Sequence, residues 1–118
     1  MYKDKNKQKE AMKKYARTDK AKAVAYKTYL KRTYGITVDK FNKLLIKQGG
    51  TCANCYLPET AKDNKGGIKQ LSVDHDHLTG KVRWLLCHNC NWGLGAFKDN
   101  PTLLRHMANL LDNAKDKF

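Results

Sequence analysis

Two cysteine pairs constrain this chain more than anything else in it. Cys52-Ala53-Asn54-Cys55 and Cys87-His88-Asn89-Cys90 are C-x-x-C knuckles that use all four cysteines, with the 31 residues 56–86 between them. Thiolates at this spacing can bite one ion from a single tight turn, and zinc prefers four ligands in a tetrahedron. Bringing the pairs together closes one loop around a four-thiolate site. Such a site keeps no open position for water, so the Zn2+ expected on Cys52, Cys55, Cys87 and Cys90 is structural. A redox pair and chance cysteines are the alternatives. His88 could compete as a ligand, but with four thiolates at hand it is expected to face solvent or phosphate.

A staple matters here because the core must be small. The chain has 118 residues, 41% of them hydrophobic, and a mean hydropathy of −0.76. That leaves room for one domain, or a small core with an extension. The opening MYKDKNKQKE is too charged for the core of a signal peptide. The longest uncharged apolar run, Trp92 to Phe97, is far too short to span a bilayer. No membrane partner is expected, and a cytoplasmic, reducing compartment fits. There, paired cysteines bind metal more often than they form disulfides.

Charge points to a polyanion. The formal net charge is +13, and it is uneven: residues 1–34 hold twelve Lys and Arg against three Asp and Glu, a net +9. Each phosphate neutralised by such a segment releases condensed counterions, so nucleic acid is the expected partner. A solvated basic tail is the plainer reading. Lys5 to about Thr33 lacks Gly and Pro and is helix-permissive, with a thin apolar stripe through Met12, Tyr15, Ala16, Val24, Tyr26, Tyr29 and Leu30. One or two basic helices are expected. Tyr26, Tyr29 and Tyr34 could stack on nucleic acid, but covering a half-buried helix face is the commoner role.

Beyond the break at Gly35, Thr37 is a candidate N-cap, and Phe41, Leu44 and Leu45 make the apolar face of a core helix ended by Gly49-Gly50. Tyr56 to Gln70 reads as loop. Leu71–His75 and Lys81–Leu86 read as two short strands joined through Thr79-Gly80. A short helix is expected from Asn91 to about Lys98. Another should follow the Asn100-Pro101 cap, with Leu103, Leu104, Met107, Leu110 and Leu111 on one face. The chain thus divides into a basic helical arm (1–34), a zinc-held core (35–98) and a C-terminal amphipathic helix (99–118).

Between the knuckles lies Asp74-His75-Asp76-His77. Two acids and two imidazoles in four residues are costly to bury and useful for holding a hard cation beside a proton acceptor. Phosphodiester hydrolysis needs both, and histidine titrates in the right range to deprotonate water. His75 is the candidate base, and Asp74 a candidate oxygen ligand for Mg2+ or a similar ion. A polar turn between strands is the competing reading. Adjacent strand residues point to opposite faces, so Asp74 and His75 can converge only at a strand end or a bulge.

The run Asp74–His77, followed by Thr79-Gly80-Lys81-Val82-Arg83, Leu85-Leu86-Cys87 and Cys90-Asn91, resembles the phage recombination endonuclease VII family of His-Me finger, or HNH-like ββα-metal, nucleases. The resemblance covers roughly Tyr34 to Phe97. It implies an α+β fold: a small zinc-stapled ββα-metal nuclease core with flanking helices. It implies a metal-dependent DNA endonuclease with His75 as general base and Asp74 and Asn91 as ligands of a catalytic Mg2+ or Mn2+. Cleavage would leave 5′-phosphate and 3′-hydroxyl ends, and a phage-encoded protein would work in the bacterial cytoplasm. Arg83, His77 and Lys81 are the candidate DNA contacts. Leu94 stands where the junction-resolving enzyme has an acidic residue, and Ser72 where it has a histidine. Nicking, homing-type and junction-resolving activity, and a homodimer, all stay open. The alternative from another class is a non-catalytic zinc DNA-binding module.

Overall fold

Glycine and the capping residues decide where each helix stops. The computed structural model describes residues 5–114; the first four residues of the basic arm and the last four of the C-terminal segment lie outside them. The arm forms two helices, α1 (Lys5–Ala16) and α2 (Asp19–Tyr34). The Thr18 hydroxyl accepts from the Ala21 amide and starts α2. Gly35 ends it at φ 70°, a left-handed conformation that costs glycine little. Every described side chain of α1 except half-buried Ala11 is exposed. The radius of gyration is 19.7 Å, against about 13.5 Å for a compact chain of this length, and the long axis reaches 73 Å. The basic helix therefore projects from the body.

The second half of α2 does not project. Leu30 is fully buried, and Tyr26 meets Phe41 edge-on at 5.7 Å. Phe41 sits on α3 (Val38–Lys47), where Thr37 is the N-cap, accepting from the Lys40 amide. Next come β1 (Ser72–His75), β2 (Val82–Leu86), α4 (His88–Ala96) and α5 (Pro101–Asp112). β1 and β2 form a two-stranded antiparallel sheet. The core is Leu30, Ile36, Phe41, Cys52, Leu71, Val73, Leu85, Leu86 and Cys87. So few buried residues make a small reservoir of hydrophobic stabilisation, and two of the nine are metal-ligand candidates.

The expected strands and caps are present, with one difference. α4 begins at His88, three residues before the Asn91 start expected from the sequence, because Cys87 is itself the N-cap: its Sγ accepts from the Cys90 amide at 3.4 Å. The second knuckle is thus the first turn of the helix. The glycines at 93 and 95 do not stop it. α5 follows the Asn100 cap as expected, but Leu103, Met107, Leu110 and Leu111 on its apolar face are all exposed. Among the described residues no helix is long and apolar enough to cross a membrane.

Gln48, just past α3, ties this helix to the sheet. Its amide nitrogen donates to the Thr51 and Leu85 carbonyls (2.8 and 2.9 Å), and its oxygen accepts from the Leu85 amide at 2.9 Å. One side chain thereby completes both backbone groups of a fully buried strand residue. Gln48→Ala should cost about 1–3 kcal/mol, because it leaves the Leu85 amide unpaired, while the Leu85 carbonyl keeps the Ala53 amide at 3.1 Å. Urea unfolding of the zinc-loaded protein would register it as a lower midpoint; an unchanged midpoint would mean water replaces the amide.

Candidate functional site

The two knuckles meet at one point. The Sγ atoms of Cys52, Cys55, Cys87 and Cys90 all lie within 4.8 Å of one another, and Cys55 and Cys87 approach to 3.9 Å. Four sulfurs around a tetrahedral zinc at about 2.3 Å would be about 3.8 Å apart, so the arrangement fits the ion. Backbone and side-chain donors already point at the sulfurs: the Asn54 amide to Cys52 at 3.4 Å, and the Asn54 side chain to Cys90 at 3.3 Å. Burial opposes ionisation of Cys52, but hydrogen bonds outweigh it and bring the thiol down to about 6. Burial pushes Cys87 up to about 12. A bound dication would favour the thiolate form of all four. Glu59, from the loop, supports the assembly by accepting from the His88 amide at 2.7 Å, at the positive end of α4.

Asp74 and His75 end β1, whereas Asp76 and His77 lie in the connection to β2. Asp76 turns into the β1–β2 connection, where its carboxylate accepts from the Leu78 and Thr79 amides at 2.8 and 3.1 Å. Those two bonds hold its carboxyl below the usual carboxylate range. Gly80, at φ 74°, completes the turn. Asp76 is therefore structural. The rings of His75 and His77 have centroids 4.8 Å apart, and that of Tyr34 lies 5.5 Å from His75. The His75 ring makes no hydrogen bond among the described residues, so its nitrogens are uncommitted. Burial and a hydrogen bond with the Tyr29 hydroxyl push the Tyr34 phenol up to about 12.

Asp74 points inward and is 4% exposed. The register slips between Asp74 and His75: Asp74 pairs with Trp84 and His75 with Val82, leaving Arg83 opposite no residue. The extra residue is on β2, so this irregularity re-aims Arg83. The unpaired Arg83 folds onto Asp74, with Nε 2.8 Å from Oδ2 and one Nη 3.0 Å from Oδ1. The same Nη donates to Asp99 at 3.1 Å, and His77 lies 3.6 Å from that carboxylate. Both hydrogen bonds to Asp74 keep the guanidinium more firmly protonated than usual. Arg83 thus sits on a candidate ligand, a pairing not anticipated from the sequence, where Arg83 was assigned to DNA. Asn91 is half-buried on α4, one turn beyond Cys87 to which its amide bonds, and its side chain makes no hydrogen bond among the described residues. Lys81 is exposed.

Gln48, Glu59 and Asp99 are the supporting residues that sequence reasoning missed. Their partners are distant in the chain, and none belongs to a recognisable spacing. Leu94, by contrast, has an evident occupation: with Trp84, Phe97 and Leu104 it lines an apolar cleft of about 440 Å³ that includes none of residues 74–77.

The family model of recombination endonuclease VII matches residues 27–113, about three quarters of the chain. The chain belongs to the recombination endonuclease VII family. Relatives of this endonuclease VII member include the Gene 59 proteins of two mycobacteriophages. That of phage L5 is 44% identical over 78 residues, which are 65% of this chain and 44% of the relative. That of phage D29 is 39% identical over 90 residues, 75% of this chain and 51% of the relative. The chain spans about half the length of the curated relatives it matches. No solved structure matches it.

Proposed function

We propose that this chain is a metal-dependent DNA endonuclease whose β1, β2 and α4 form a His-Me finger stapled by zinc on the four cysteines. The observation that carries this reading is the pairing of family membership with an uncommitted imidazole, His75, at a strand irregularity beside a buried carboxylate, Asp74. In this reading His75 accepts the proton of the attacking water, while Tyr34 and His77 limit the orientations its ring can take. Asp74 and Asn91 would hold Mg2+ or Mn2+, an ion that typically takes few protein ligands. A cation bound there supplies stabilisation of the charge that develops on the phosphoryl oxygens. His77, Lys81 and Arg83 are assigned to the DNA backbone, Arg83 only after its hold on Asp74 loosens. The arm, residues 1–34, adds affinity for the duplex, and the exposed apolar stripe of α5 is where a second copy would dock in a homodimer.

Incubating the protein with supercoiled, linear and four-way-junction DNA, each with Mg2+, Mn2+ or EDTA, tests this function and separates nicking from junction resolution. Cation-dependent strand scission is expected. Binding without scission under every condition would favour the non-catalytic zinc module, which has no use for a base beside a hard-metal ligand.

A charge argument yields a second expectation. Because Leu30 belongs to the core, the clean truncation removes residues 1–17, which carry seven basic and two acidic side chains, and keeps the Thr18 cap. The slope of log K against log salt should flatten by about 0.9 for each phosphate that α1 no longer neutralises, with equal effect on unrelated DNA sequences. Cleavage at saturating DNA should survive. An unchanged slope with a smaller particle mass would assign α1 to subunit association instead.

A further inference from the structure

We infer that Asp99 is a positioning residue of this site, holding Arg83 so that Asp74 can accept a cation. The inference rests on the proposed metal role of Asp74.

The geometry is specific. Arg83 engages both Asp74 oxygens at 2.8 and 3.0 Å, and its Nη2 divides between Asp74 and Asp99 Oδ2, 3.1 Å away. The Asp99 side chain is largely shielded, at 19% exposure. Asp99 follows α4, and both Lys98 and Asp99 have positive φ, 53° and 55°. Two consecutive non-glycine residues in the left-handed region cost strain that the surrounding structure must sustain. The Asp99 amide bonds the Leu94 carbonyl at 3.1 Å, which fixes the turn and aims the carboxylate back at β2.

The consequence is electrostatic. Arg83 occupies both Asp74 carboxylate oxygens and puts a positive charge where a cation must approach. Asp99 offsets that charge from the other side. It also gives Nη2 a bond to keep when Asp74 gives up an oxygen. Asp99 therefore favours cation binding without touching the cation. Arg83 opposes it by occupying the same carboxylate.

The two residues should consequently move cation affinity in opposite directions. The test is direct Mn2+ titration of the zinc-loaded chain, without DNA, followed by electron paramagnetic resonance of free Mn2+. Asp99→Asn keeps a residue type tolerant of positive φ. It should weaken Mn2+ binding about tenfold, the scale expected for losing one charge a few ångströms away at an intermediate dielectric. Arg83→Gln should tighten binding, since the buried Asp74 carboxylate loses its competitor. Zinc content and circular dichroism establish that each variant folds, and the Arg83 variant decides if Asp99→Asn does not. Asp99→Asn within twofold of wild type, or Arg83→Gln binding Mn2+ no better than wild type, would overturn the inference while leaving the nuclease reading intact. No Mn2+ bound by the wild type would remove the metal role of Asp74, and the inference with it.

Discussion

His75→Ala is expected to lower DNA cleavage by about 10²–10⁴-fold, the usual worth of a positioned general base. The ring packs at a tilt against Tyr34 and His77 and makes no hydrogen bond among the described residues, so its removal should leave the zinc site and the sheet in place. DNA affinity at moderate salt should change little, because the basic segment lies elsewhere. Single-turnover cleavage at saturating DNA, alongside zinc content and a melting curve, separates the loss of a base from the loss of a fold. Near wild-type cleavage by a correctly folded variant would remove His75 from the mechanism.

Cys52→Ser should act on the fold and only thereby on the chemistry. Cys52 is fully buried in a core of nine residues, and its sulfur accepts the Asn54 amide that shapes the first knuckle. Structural zinc contributes about 10–16 kcal/mol of apparent binding energy in zinc-finger peptides, as much as a whole domain's net stability of about 5–15 kcal/mol. Losing one of four thiolates should therefore abolish stoichiometric zinc and cooperative melting together. The mutant should not be rescued by excess Mg2+, whose preference is for oxygen ligands. A variant that melts cooperatively at the wild-type temperature without zinc would show that the apolar core suffices.

Local signals in the sequence carried most of the element pattern. Thr37 and Asn100 cap the helices they were expected to cap, the cysteine spacing brought four sulfurs together, and alternation located both strands. What escaped was long-range. The thin stripe of the arm did not show that Leu30 would be buried with Tyr26 and Tyr34 packed beside it, since burial depends on what packs opposite. Asp74-His75-Asp76-His77 read as one chemical cluster, yet only Asp74 and His75 belong to β1, and Asp76 serves the turn. Asp74 and Arg83 were assigned separately to metal and DNA. A bulge that leaves Arg83 opposite no residue brought them together, and no spacing rule announces it. Asp99 gave no signal at all, because its place depends on two left-handed residues after α4.

The central claim is that the zinc-held site hydrolyses phosphodiesters with the help of a second, exchangeable cation. It is tested most directly by the ends of the DNA that the zinc-loaded wild-type chain produces in Mg2+ or Mn2+, with a preparation treated with EDTA under conditions that leave zinc bound as reference. Nicks carrying 5′-phosphate and 3′-hydroxyl groups, resealed by DNA ligase and absent without the added cation, are the expected result. Intact DNA under all conditions, or scission that proceeds equally without the added cation, would contradict it.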